Sequence, residues 1–252
     1  MAYLSLDLIV NRSGWVYINE EQRSIEYLSS VLEDSAYVDR KLTVDVITWL
    51  KSMESVRPGR YRIEEDEALP TVMNRFRSGI QEPLDVIIPS LGDFRQLAKR
   101  LGEQLMYDSA SFYNFFQSDS ALAMAGTDRA NFSSLILPNT YELYWTIDPA
   151  GFLKRMQRER EAFWKERENS LKRIGLSREE AITLASIVEK ETNKVDEMPR
   201  VAGLYLNRLR SGWKLQSDPT ALFGLRQVYP DTVVYRVLNA HIAFSSPYNT
   251  YE

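Results

Sequence analysis

The 252-residue sequence contains no cysteine and one histidine, His241. These absences exclude disulfide bonds, thiolate metal sites, cysteine nucleophiles and any metal site that needs two histidines. A Ser-His-Asp triad would have to use His241, but its apolar neighbours Ile242 and Phe244 favour a structural histidine. Acid–base chemistry is therefore expected to fall to carboxylates, and the sequence indicates neither a metal nor a cofactor.

An excess of positive charge is also lacking. Lysine and arginine number 31 against 35 aspartates and glutamates, for a net charge of −4, which argues against a nucleic-acid partner. No apolar run approaches the roughly 18 to 20 residues that span a bilayer. The first ten residues contain Asp7 and no basic residue, unlike a signal peptide. With 44% hydrophobic and 26% charged residues, the chain is expected to fold as a globular protein.

The first 105 residues alternate short strand patterns with amphipathic helices, which is typical of a small α+β module. Aromatic residues cluster from Ser109 onward, so we expect one region over 1–105 and a mixed, helix-rich domain over 106–252. The patterns predict strands at 15–18, 60–63 and 84–88, helices at 69–76 and 94–105, a helix capped by Ser24, a helix near 44–50, and a long solvated helix over 150–170.

One later segment combines an apolar helix with two carboxylates at its end. Ser177 and Glu180 fit a capping box, and the nearly continuous apolar run over 181–188 predicts a helix buried on all sides. The run ends at Glu189 and Glu191. Residues two apart on a helix are separated by about 200°, so these two glutamates cannot share one role.

Glu191 is the better candidate for a proton donor. It lies above Leu184, Ile187 and Val188 on the widest apolar arc, and desolvation favours the protonated form of a carboxylic acid. Glu189 would then be a supporting acid. The alternative, that both are ordinary helix-end residues paired with nearby lysines, stays open.

The next helix is expected to start near Pro199 and to end at Gly212, with Asn207 polar near its end. The loop after it carries Gln216, Ser217, Asp218 and Thr220. Asp218 before Pro219 is typical of a helix N-cap, and a ligand-binding loop is the alternative.

Five blocks in this order resemble the MltG (YceG-like) family of endolytic murein transglycosylases. The blocks are Pro138-Asn139-Thr140-Tyr141-Glu142, Leu184 to Thr192, Val201 to Leu209, Leu215 to Thr220, and Ser246 to Tyr251. The resemblance covers residues 135–251 well. Residues 1–105 are similar only in layout to the family's N-terminal region, which includes a LysM-like peptidoglycan-binding part.

The resemblance implies cleavage of peptidoglycan glycan strands between N-acetylmuramic acid and N-acetylglucosamine, leaving 1,6-anhydromuramoyl ends. The second glutamate of the family's Glu-Lys-Glu-Thr block maps onto Glu191, which is implied to be the general acid and then the general base. By motif position, substrate-binding or supporting roles fall to Glu189, Asn207, Gln216, Asp218, Thr220, Tyr248 and Asn249. Peptidoglycan-synthesis enzymes are further implied partners.

The family begins with a membrane-spanning helix and continues past the final block, so by resemblance the chain looks trimmed at both ends. The implied parent protein is anchored in the inner membrane and acts on its periplasmic face, and a fragment lacking part of the cleft is expected to be inactive. Two alternatives stay open: a non-catalytic peptidoglycan-binding module, and a hydrolase in which Glu191 and Asp218 direct water.

Overall fold

A computed structural model of the chain describes residues 9–39, 41–90, 93–129, 131–229 and 231–252. The amino-terminal segment that contains Asp7, which argued against a signal peptide, lies mostly outside these residues. The chain forms two compact units, Met1–Arg160 and Glu161–Glu252. Each unit is described by itself.

The first unit contains two antiparallel pairs of strands surrounded by helices. Its elements are β1 (Gly14–Ile18), α1 (Ile25–Asp34), α2 (Lys41–Leu50), β2 (Gly59–Ile63), α3 (Leu69–Ser78), β3 (Leu84–Ile88), α4 (Phe94–Gly102), α5 (Ser109–Gln117), α6 (Asp119–Ala125), a 3-10 helix (Phe132–Leu135), β4 (Asn139–Leu143) and α7 (Pro149–Lys165), within which the division falls.

The first core forms where β1 pairs with β2 and the connecting helices cover one face of the pair. Gly14 lies opposite Ile63 and Ile18 opposite Gly59. Because side chains alternate across a strand, every second residue points inward. The buried set on this sheet is Val16, Ile18, Tyr61 and Ile63. Ser24 caps α1 by accepting a hydrogen bond from the Tyr27 N–H at 3.1 Å.

The second core is rich in aromatic residues. β3 pairs with β4, with Leu84 opposite Leu143 and Val86 opposite Tyr141. Four phenylalanines that are at most 1% exposed pack together beside this sheet, and the ring centroids of each contacting pair lie 6.1 to 6.3 Å apart. They are Phe112, Phe116, Phe132 and Phe152. Such pairs add packing energy beyond the area that they bury.

The second unit is helical over its described residues. Its further elements are α8 (Glu168–Ile174), α9 (Arg178–Glu191), α10 (Met198–Arg210), α11 (Asp218–Val228) and α12 (Asn239–Ile242). A small core forms between α9 and α10, where Leu184, Ile187, Val188 and Tyr205 are buried. This core brings the end of α9 beside the middle of α10.

The predicted α+β class is confirmed, and the three predicted strands are present to within one residue. Two expectations are wrong. The long helix ends at Lys165, and a second helix follows from Glu168. Helix α9 is not buried on all sides, because Thr183, Ala185 and Ser186 are exposed. The functional division at residue 105 and the LysM-like description of residues 1–105 stay predictions. The described elements before residue 105 follow the order β1-α1-α2-β2-α3-β3-α4.

The capping box at the start of α9 is expected to contribute to the stability of the folded protein. The Ser177 N–H donates to the Glu180 carboxylate at 2.7 Å, and the Glu180 N–H donates to Ser177 Oγ at 3.1 Å. Ser177→Ala is expected to destabilise the protein by about 1 kcal/mol, since it leaves an N-terminal N–H without its acceptor. Denaturant unfolding followed by circular dichroism measures this. Ser170→Ala, at an exposed position in α8, is the matched control; equal effects of the two changes would contradict the capping role.

Candidate functional site

The site is centred on the carboxylate of Glu191, the last residue of α9. The Tyr205 hydroxyl donates to Glu191 Oε1 at 2.6 Å, and Ser217 Oγ donates a short hydrogen bond to the same oxygen. Tyr205 is 4% exposed and Ser217 is fully buried, so both donors are held by their surroundings. One oxygen of the carboxylate is therefore fixed by two hydroxyl groups from different helices.

The loop before α11 places Ser217. The Arg208 guanidinium donates to the Leu215 carbonyl and so ties this loop to α10. Gln216 has a left-handed backbone conformation with φ of 53°, which turns the chain into Ser217. The N–H groups of Gln216 and Ser217 both donate to Thr250, at 3.0 Å to its carbonyl and 3.0 Å to its hydroxyl.

Asp218 belongs to a second pair of carboxylate and tyrosine. The Tyr251 hydroxyl donates to Asp218 Oδ1 at 2.5 Å. The expected role of Asp218 as an N-cap is wrong, because Asp218 is the first residue of α11 and Ser217 occupies the cap position. The carboxylate is thus committed to Tyr251, and the Ser217 hydroxyl is committed to Glu191.

The segment 246–251 is organised by Asn249. Its side-chain amide donates to the carbonyls of Ile242 at 2.7 Å and Phe244 at 2.8 Å, while its Oδ1 accepts from the Tyr251 N–H at 3.1 Å. Asn249 is 6% exposed, so its contacts hold the loop in place. Tyr248 is exposed and packs edge-to-face on Phe223, with ring centroids 4.8 Å apart. Any contact of either residue with substrate stays a prediction.

Thr220 and Asn207 differ in their relation to this site. The Thr220 and Thr250 hydroxyls lie 2.8 Å apart, and Thr220 Oγ1 donates to the Ser217 carbonyl at 2.7 Å. Thr220 therefore helps to hold the backbone of Ser217 in place. Asn207 is exposed on α10. It lies two residues after Tyr205, and because such residues point about 200° apart, it does not share the face on which Tyr205 meets Glu191.

Glu191 is not buried, although its position above the apolar arc of α9 predicted burial. Glu191 is an exposed residue, whereas Glu189 is half-buried. Apolar residues below a helix end do not desolvate it when the end itself opens to solvent. The two hydroxyl donors now distinguish Glu191, and its catalytic role stays a prediction.

The pKa values of two tyrosines reflect the paired carboxylates. Burial raises the pKa of Tyr205 to about 12, and its hydrogen bond to Glu191 adds to the shift. For Tyr251, the hydrogen bond to Asp218 is the largest cause of a pKa raised to about 12, followed by burial. Both phenols therefore remain protonated at neutral pH and act as donors to the carboxylates.

Sequence reasoning missed the roles of Tyr205, Thr250 and Tyr251, and left Ser217 as one of several loop polar groups. Tyr205 lies on the apolar side of α10, so its pattern indicates core and does not reveal where its hydroxyl points. Thr250 and Tyr251 lie in the final block, which could have suggested them. His241 is outside this network, and its Nδ1 accepts from the Leu238 N–H at 3.1 Å.

The described residues contain no group of three His, Cys, Asp or Glu side chains able to hold a metal ion. Within the same described ranges, every helix is too short or too polar to cross a bilayer.

Comparisons of the sequence and of the structure with known proteins point to one family. The family model described as the YceG-like family matches residues 16–252. An endolytic murein transglycosylase of Bacillus subtilis is 20% identical over 91% of this chain and 67% of its own length. One of Streptococcus pneumoniae is 20% identical over 92% of this chain, which spans about half (47%) of that relative. A solved YceG-like protein of Listeria monocytogenes has a TM-score of 0.55 at 20% identity, covering 96% of this chain and 83% of that one, and so shares the fold.

The two tyrosines predict a difference between two carboxylate variants. Asp218→Asn is expected to lower the pKa of Tyr251 from about 12 towards 10.0, because the charged acceptor is its largest cause. Glu191→Gln should lower the pKa of Tyr205 by less, because burial is the larger cause there. NMR titration of the tyrosine rings measures both, with buried Tyr61, whose pKa is also about 12, as the unchanged control.

The raised pKa of Tyr251 also makes the stability of the fold depend on pH. A tyrosine pKa that is higher in the folded state stabilises the fold fully below about pH 10, and this contribution is lost as the pH rises towards 12. Asp218→Asn should therefore flatten the alkaline loss of stability. An unchanged Tyr251 pKa in that variant would contradict the pairing.

Proposed function

The chain belongs to the YceG-like family, and from that premise we propose that it is a lytic transglycosylase that cleaves peptidoglycan glycan strands, with Glu191 as its acid and base. The observation that carries the proposal is an exposed glutamate whose carboxylate is nevertheless held in place by Tyr205 and Ser217. A polymeric saccharide can reach an exposed and oriented carboxyl group, whereas it cannot reach a buried one.

The relatives support the substrate and the reaction class. Two bacterial relatives that align with more than nine-tenths of this chain are named endolytic murein transglycosylases. Because the chain spans only part of their length, the activity and substrate of the whole proteins remain a proposal here. Action outside the cytoplasm, at the periplasmic face of the inner membrane, and interaction with peptidoglycan-synthesis enzymes belong to the same proposal. A LysM-like, peptidoglycan-binding role of residues 1–105 also belongs to it.

The proposed reaction needs one carboxyl group. Glu191 donates its proton to the oxygen of the bond between N-acetylmuramic acid and N-acetylglucosamine, and the bond from this oxygen to C1 of the muramoyl residue breaks. The C6 hydroxyl of that muramoyl residue attacks C1, Glu191 takes the hydroxyl proton, and a 1,6-anhydro ring closes. Because the attacking group is tethered to the reacting sugar, no second carboxylate is required to activate water.

Hydroxyl ligands suit a carboxyl group that changes its protonation state. An arginine or lysine partner could only donate and would oppose protonation of Glu191, whereas the hydroxyls of Tyr205 and Ser217 can donate or accept. The same pair can therefore hold the carboxylate and the carboxylic acid with little movement. The hydrogen bond from Tyr251 to Asp218 supports a structural role of this carboxylate in the loop over a role in directing water.

Product analysis tests the reaction class. The protein, in its full-length form, is incubated with purified peptidoglycan, and the soluble products are identified by mass spectrometry. We expect muropeptides with 1,6-anhydro ends, whose mass is lower by one water than that of hydrolysis products. Reducing ends would instead establish a hydrolase, and the absence of any cleavage would favour a binding module.

Substitution of the two glutamates tests the choice between them. Glu191→Gln is expected to lower the cleavage rate by roughly 10²- to 10⁴-fold, because the amide cannot donate and then accept the proton. Glu189→Gln, two residues away on the opposite side of α9, is the comparison and should lose less activity than Glu191→Gln, because a supporting acid does not transfer the proton. Loss of activity confined to Glu189→Gln would show that Glu191 is the wrong residue.

Tyr205→Phe tests the positioning of Glu191. The change removes one hydroxyl donor and keeps the ring in the core. We expect kcat to fall by about tenfold to a hundredfold, while KM changes little, because the carboxyl loses its orientation. A merely structural tyrosine would instead show lower thermal stability with unchanged kcat in the folded fraction.

A further inference from the structure

The helix that carries Glu191 ends at that residue, and its last turn has little support of its own. Thr192 follows in an extended conformation, with φ of −147° and ψ of 140°, so α9 does not end in the left-handed cap that closes many helices. The Thr192 N–H donates to the Val188 carbonyl at 3.3 Å, which is long for such a bond. A negative charge on Glu191 also lies at the negative end of the helix dipole. This end of α9 would therefore fray if nothing outside the helix held it.

The Thr192 side chain provides support from outside the helix. Its Oγ1 donates to Glu197 Oε2 at 2.9 Å and accepts from the Lys194 N–H at 3.1 Å. The single proton of the hydroxyl thus goes to a carboxylate, and charge-assisted hydrogen bonds of this kind are stronger than neutral ones. Thr192 and Glu197 are both half-buried, so water competes less for this bond than it would on the open surface. We call these two side chains the Thr192–Glu197 clamp.

Glu197 is itself fixed by the helix that it precedes. It occupies the N-cap position of α10, where its carbonyl accepts from the Val201 N–H at 3.1 Å. Tyr205, which donates to Glu191, lies about two turns further along the same helix. Two successive residues at the end of α9, Glu191 and Thr192, are therefore hydrogen-bonded to two points on α10.

An exposed ion pair at the same connection is a weaker candidate for this support. Lys194 Nζ lies 3.0 Å from the other oxygen of Glu197, and the Lys194 side chain is 71% exposed. Exposed ion pairs contribute little to stability. This pair also joins two residues of the connection to each other, and so it does not tie the connection to α9.

We propose that Thr192 and Glu197 are positioning residues, whose hydrogen bond holds the end of α9 and thereby keeps the Glu191 carboxylate on its two hydroxyl donors. The inference rests on the proposed function, since it takes Glu191 as the acid and base, but the contact that it assigns exists without the reaction. A shift of about 1 Å in a reacting group can lower a rate by as much as a hundredfold, so a frayed end of α9 would lower kcat.

Cleavage kinetics of the full-length protein test the role of the clamp in the reaction. Thr192→Val removes the hydroxyl and keeps the size of the side chain, and it is expected to lower kcat about tenfold with KM nearly unchanged. Thr192→Ser keeps the hydroxyl and should retain most of kcat. Glu197→Ala should match Thr192→Val, and the two changes together should cause little further loss, because both remove the same bond. Asp196→Ala, which removes an exposed carboxylate from the same connection, is the matched control.

Two measurements on the folded protein test the clamp whether or not cleavage is found. In Glu197→Ala, hydrogen exchange at the Thr192 N–H should be at least about fivefold faster, because the last turn of α9 opens more readily. The pKa of Tyr205 should also fall below about 12, because a displaced Glu191 no longer accepts its hydrogen bond, although burial, the larger cause, remains. Asp196→Ala should change neither value.

The results separate this inference from the proposed function. Faster exchange and a lower Tyr205 pKa would support the clamp even if the protein makes no anhydro ends. Unchanged kcat, exchange and Tyr205 pKa would overturn the inference even if anhydro ends are found. Lower thermal stability with unchanged kcat in the folded fraction would also overturn it, because the clamp would then be merely structural. If Glu197→Ala does not fold, kcat and the Tyr205 pKa of Thr192→Val, compared with Thr192→Ser, decide the question.

Discussion

Two hydroxyl groups sharing one carboxylate oxygen are the interaction on which the candidate site depends. Tyr205 comes from the middle of α10, Ser217 from the start of α11, and Glu191 from the end of α9. Their hydrogen bonds join three helices that no short-range sequence pattern connects. Without them, Glu191 would be a mobile surface side chain whose rotamers would not hold one oxygen in a fixed position.

The site reconciles accessibility with order. A catalytic carboxyl that acts on a polymer has to be reachable, and a carboxyl that transfers protons has to be oriented. In this protein the carboxyl-bearing residue is exposed, while both of its donors are buried. Thr250 and Thr220 hold the loop that carries Ser217 through hydrogen bonds, and this loop in turn orients the carboxylate. The Glu191 side chain is thereby held at one oxygen while it remains exposed to solvent.

Features that depend on neighbours in sequence were predictable. The capping box of α9, the N-cap at Ser24 and the alternating strands each arise from residues within a few positions of one another. The prediction that α9 is buried failed because small residues such as Ala185 and Ser186 are compatible with either environment, and only the tertiary packing decides. The partners of Glu191 lie 14 and 26 residues away, so helical spacing could not identify them.

The left-handed backbone at Gln216 has a consequence for how variation at this position is interpreted. Glycine and asparagine adopt such a conformation at low cost, whereas valine and isoleucine are strained there. Which residues can replace Gln216 should therefore depend first on how readily they adopt a positive φ, and only then on the chemistry of their side chains. A relative with glycine at the equivalent position would keep the turn that delivers Ser217, whereas a β-branched residue there would strain it.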